Sequence, residues 1–251
     1  PAADARPVNL VTRESLAGLA LDDAARRWVE ANGFAGAAGK LLTLPGPDGA
    51  VAGALYGVAD RGVADRGVAG RCDAFSPLAA GALARSLPGG AWRFAETPDE
   101  PELAALGLML GAYAFARYRK AETPAIAFAA PEGVDVEAVR RRAEAVYLVR
   151  DLINTPANDM GPQALEAAAR ALAATHGAQV AVTAGDDLLA QNLPMIHAVG
   201  RAGAEAPRLI DMRWGRPEAP KVTLVGKGVC FDTGGLDIKT PSGMLLMKKD
   251  M

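Results

Sequence analysis

The sequence predicts an α/β protein, with an α/β region at each end and a long helix between them. Short apolar or β-branched runs alternate with helically spaced segments from residue 8 to residue 225. One helical run, 133–154, outlasts all the others and separates two such alternations. Half of the 251 residues are apolar, enough for a sizeable core in one large domain or two ordinary ones. The expected divisions are 1–132, a connecting helix over 133–155, and 156–251.

Val8 to Thr12 is β-branched and reads as the first strand. Leu21-Asp22-Asp23 opens a helix that runs through Glu30 and stops at Asn32-Gly33. Leu41–Leu44 and Val51–Tyr56 are strands. The turn residues Pro45-Gly46-Pro47-Asp48-Gly49 between them predict a hairpin. Residues 57–70 carry a tandem GVADR repeat, too short and too few for a solenoid, and read as a duplication in a surface loop.

Pro77–Leu87 and Pro101–Lys120 read as helices. Leu103, Leu106, Leu110, Ala114 and Arg117 fall at three- and four-residue steps and define the expected buried stripe. Trp92–Phe94 and Ala125–Ala129 read as strands. The run 133–154 lasts about six turns at ~3.6 residues per turn, with Arg140-Arg141-Arg142 on a solvated face.

The second region begins with a helix over Pro162–Thr175, stopped by Gly177. A strand, Gln179–Thr183, and a short helix, Asp186–Gln191, follow. Leu209–Trp214 and Val222–Val225 are rich in Val, Ile and Leu, as in strands of a sheet covered on both faces. The acidic pairs Asp22-Asp23 and Asp186-Asp187 sit at helix starts, where capping is the simpler reading.

Composition narrows the function classes. A net charge of −2 argues against a basic nucleic-acid surface, and 5% aromatics argues against a base-stacking platform. The longest apolar run, Leu103–Ala116, is too short to span a bilayer, and no membrane association is expected. Cys72 and Cys230 are far apart and form no disulfide framework. They read as small buried residues in a reducing compartment, the cytoplasm. His176 and His197 read as capping or packing residues. The chain opens on Pro1 rather than Met, which points to a processed N-terminus or a fragment.

The last 25 residues carry most of the chemistry. Lys227 lies at the carboxyl end of an expected strand, where functional groups of open α/β sheets gather. Asp232, Thr233-Gly234-Gly235, Lys239 and Asp250 follow. Aspartate oxygens suit a hard or borderline divalent ion, and a lysine amine can be a ligand only when neutral. One lysine could therefore bind metal while the other stays charged and stabilises a substrate oxygen. Lysine among glycines also fits a phosphate loop, although the Walker spacing is absent. A surface Lys/Asp loop is the bland alternative.

Two segments together resemble the leucyl aminopeptidase family of dinuclear metallopeptidases. The first is Gly226-Lys227-Gly228-x-x-Phe231-Asp232-Thr233-Gly234-Gly235-x-x-x-Lys239, with Gly243-Met244-x-x-Met247-Lys248-x-Asp250-Met251 after it. The second is Arg150-Asp151-Leu152-Ile153-Asn154-Thr155-Pro156-Ala157-Asn158. The resemblance spans roughly 135–251. It implies that 156–251 is the first part of an α/β catalytic domain with a mixed central sheet.

The resemblance further implies that Lys227, Asp232 and Asp250 are metal ligands and that Lys239 polarises the scissile carbonyl. Met247 would line the pocket for the substrate's N-terminal side chain, and Asp250 would also bind substrate. The implied reaction is hydrolysis of N-terminal residues from peptides with two divalent ions, zinc or manganese. One ion would hold the free α-amine and the pair would share an activated water. A homohexamer is implied for the full-length protein. The family also uses a downstream acidic motif and an arginine that these 251 residues lack, so the chain itself is expected to be an inactive N-terminal portion. The rivals are a nucleic-acid-binding role for the N-terminal α/β region and a nucleotide site at Gly226–Gly235.

Overall fold

Strand β1 (Arg6–Val11) sits between two parallel neighbours, and its side chains feed both faces of a sheet that has five strands among the described residues. The computed structural model describes residues 4–59, 77–120, 125–228, 230 and 240–244, in two units, Pro1–Tyr147 and Leu148–Met251. In the first unit, β1 leads through the one-turn helix α1 (Ser15–Gly18) to α2 (Asp23–Ala31). Asp22 caps α2 by accepting the N–H of Ala25 at 2.7 Å. Strands β2 (Leu41–Pro45) and β3 (Val51–Gly57) form the expected antiparallel hairpin. Its turn uses Gly49 at φ +79°, and the Asp48 carboxylate accepts the N–H of Ala50 at 3.0 Å.

A 3-10 stretch, Pro77–Ala82, runs into α3 (Leu83–Ser86), then β4 (Gly90–Phe94), α4 (Pro101–Ala112) and β5 (Ile126–Phe128). The strand order is β2-β3-β1-β4-β5; only β2 is antiparallel, so the sheet is mixed. The two-residue period of β3 separates two cores. Ala54 and Tyr56 join Val8, Leu83, Trp92 and Leu108 on one side. Leu55 joins Val11, Val29 and Leu44 on the other. Helices cover both faces, as the α/β reading requires.

Helix α4 departs from its sequence expectation twice. It ends at Ala112 rather than Lys120. The Arg85 guanidinium donates to the carbonyl of Gly111 at 2.9 Å and also to that of Tyr113, taking up acceptors at the end of the last turn. Nor does the leucine stripe form the buried face: Leu103 is exposed, while Ala104, Gly107 and Leu108 are buried. This helix is apolar on nearly every side, so hydrophobic spacing could not select a face. Backbone approach does. A Cβ on Gly111 would lie 2.0 Å from the Gly81 carbonyl oxygen, and one on Gly107 would lie 2.8 Å from the Cα of Leu78.

Helix α5 (Val136–Asn154) crosses the division between the units. Asp135 caps it, accepting from Ala138 at 2.9 Å. Arg140, Arg141 and Arg142 lie on the solvated face: Arg140 pairs with Glu137 and Glu144, both at 2.6 Å, and Arg142 pairs with Glu102 at 2.9 Å.

In the second unit, α6 (Pro162–His176) ends at Gly177, whose φ of +67° is the left-handed cap expected there. Strand β6 (Gln179–Ala184), α7 (Asp187–Ala190), α8 (Pro194–Gly200) and β7 (Arg208–Arg213) follow. The two strands pair antiparallel, Gln179 opposite Arg213 and Ala184 opposite Arg208. Leu209 and Met212 are exposed, so this sheet is not covered on both faces among the described residues.

Val222–Val225 is not a strand in the structure. Val222, Leu224 and Val225 are 82, 91 and 94% exposed. Apolar composition alone does not make a strand; a hydrogen-bonded neighbour does, and no described residue pairs with this segment. A last turn of helix, α9 (Pro241–Met244), completes the described elements. Most of the GVADR repeat, with Cys72, lies outside the described residues.

Candidate metal centre

Lys227 stands between Gly226 and Gly228 on the wall of a cavity of about 810 Å³ in the second unit. The glycine after it matters. A Cβ on Gly228 would come within 2.8 Å of the tip of the Leu165 side chain, so a larger residue there would require that leucine on α6 to shift. The Lys227 side chain is exposed. The cavity is mostly apolar, with walls from the end of α5, from α6, α8 and β7.

The second motif reaches the same cavity. Leu152 and Ile153, at the end of α5, line it together with Lys227. Behind them the chain leaves the helix at Thr155, which is buried and donates its hydroxyl to the Asp151 carbonyl at 2.6 Å. Two motifs about 70 residues apart thus share one unit and one cavity wall.

The other polar groups at the cavity are already engaged. Glu205 accepts the N–H of Gln163 at 2.7 Å and so caps the start of α6 from a distant loop. Gly161 makes room for it, since a Cβ there would lie 2.6 Å from the carboxylate. Arg208 donates to Glu166 and to the carbonyl of Ala206, and Arg170 holds the same Glu166 at 2.7 Å. These hydrogen bonds, Arg170's first and then Arg208's, hold the Glu166 carboxyl below the usual carboxylate range. No described carboxylate forms an ion pair with Lys227. Neither Glu205 nor Arg208 belongs to a periodic pattern or motif, so their part in the cavity had no sequence signal.

Of the residues expected at the site, Lys227 is placed. Asp232, Lys239, Met247 and Asp250 lie outside the described residues. Among the described residues no group of three His, Cys, Asp or Glu gathers as a metal cage, so Lys227 is the expected ligand the structure locates. Cys230 is half-buried at the cavity rather than fully buried. His197, expected to cap or pack, is half-buried in the last turn of α8, and its Nε2 lies 3.3 Å from a carboxylate oxygen of Asp186. That carboxylate caps nothing at α7, contrary to expectation, because it faces α8 instead. His176 closes α6, and its carbonyl accepts from the Trp214 indole at 3.0 Å.

Residues 147–251 match the cytosol aminopeptidase family, catalytic domain, and residues 7–131 match the M17 aminopeptidase N-terminal domain. A probable cytosol aminopeptidase from Leifsonia xyli subsp. xyli is 35% identical over 235 residues, covering 87% of this chain and 45% of that protein. The crystal structure of cytosol aminopeptidase from Coxiella burnetii is 41% identical with a TM-score of 0.80, over 98% of this chain and 52% of that one. The bottromycin maturation enzyme BotP, solved in complex with Mn, is 26% identical with a TM-score of 0.64, over 85% of this chain and 46% of its own. The chain thus spans about half the length of the relatives it matches.

Proposed function

The chain belongs to the M17 cytosol aminopeptidase family, and on that premise we propose that it serves the metal-dependent hydrolysis of N-terminal residues from peptides. The observation that carries this reading is the shared cavity wall: Leu152 and Ile153 of one family-like segment line the same cavity as Lys227 of the other. Lys227, Asp232 and Asp250 are the proposed ligands of two divalent ions, zinc or manganese. An amine with two carboxylates suits such ions, and the manganese in BotP supports the choice. Bound there, the ions supply Lewis-acid polarisation and an activated water.

The remaining work falls to side chains of this chain. Lys239, as an ammonium, donates to the scissile carbonyl oxygen and stabilises the charge that develops on it. Asp250 also binds substrate. Met247 packs against the substrate's first side chain. The proposed organisation is an N-terminal domain over 1–132, a connecting helix over 133–155 and catalytic-domain residues over 156–251. A homohexamer and a cytoplasmic setting complete the proposal. No described helix is long and apolar enough to cross a membrane.

Release of p-nitroaniline from leucine p-nitroanilide tests the reading. The assay compares residues 1–251 alone with the same residues extended by the second half of a matched relative's catalytic domain. The extended chain is expected to turn over, to stop on chelation and to recover with zinc or manganese. Lys239→Ala is expected to slow it by about 100-fold or more, while residues 1–251 alone stay at background. Turnover that survives both chelation and Lys239→Ala would sink the proposal.

A further inference from the structure

We draw no further inference here: the strongest candidate, the apolar cavity between α6, α8 and β7 together with the exposed Val222–Val225 segment beside it, belongs through Lys227 to the site already described, and nothing in the structure shows what covers it.

Discussion

Asp22 illustrates how much one side chain can contribute locally. Its carboxylate accepts from Ala25 at 2.7 Å and satisfies a donor that the first turn of α2 leaves open. Asp22→Ala is expected to lower stability by about 1 kcal/mol, read from the urea midpoint. Glu166 acts through charge. Its native pKa lies below the unfolded value of about 4.3, because Arg170 and Arg208 donate to the carboxylate. A depressed carboxylate pKa adds stability that is complete above the unfolded value and is lost as pH falls through the native one. Wild type should therefore be more stable than Glu166→Gln near neutral pH. The two urea midpoints should converge as pH falls below the unfolded carboxylate value and through the lower native one, and a gap that persists at the acid end would assign Glu166 a role other than its charge.

At the scale of elements, α4 and the 77–82 stretch meet backbone to backbone. Gly81, Gly107 and Gly111 leave no space for a methyl group, because the opposing atoms are main chain and cannot rotate away. Gly111→Ala is expected to destabilise by roughly 1–3 kcal/mol or more, despite alanine's better helix propensity. Gly18→Ala is the control: nothing lies within 4 Å of its would-be Cβ, so a near-neutral effect is expected. Equal effects at the two positions in thermal or urea unfolding would refute the close-packing account. The same contact explains why the leucine spacing of α4 misled. On a helix apolar all round, size complementarity rather than hydrophobicity decides which face turns inward. Its early end has a comparable origin, since Arg85 comes from another element to bind its terminal carbonyls.

At the scale of the molecule, among the described residues the first unit has two cores around a mixed sheet, whereas the second has a two-stranded sheet and an apolar cavity. Val222, Leu224 and Val225 stand in solvent. Such exposed apolar surface should bind 8-anilinonaphthalene-1-sulfonate. Replacing Val222 and Leu224 by lysine is expected to reduce that fluorescence and leave the urea midpoint within about 0.5 kcal/mol of wild type. A large loss of stability would mean that these side chains are packed. The α/β class, the hairpin turn, the Asp22 cap, the Gly177 stop and the family could all be read from the amino-acid sequence. Each is recorded in neighbouring residues or in a short motif: a period of two or ~3.6, a carboxylate three residues before an open N–H, a glycine where φ is positive. Other features depended on partners far along the chain. Only the tertiary structure decided which face of α4 is buried, that Asp186 meets His197 instead of capping α7, that Glu205 caps α6, and that Leu152 and Lys227 line one cavity. Packing and through-space hydrogen bonds select such pairs, and local spacing carries no record of them.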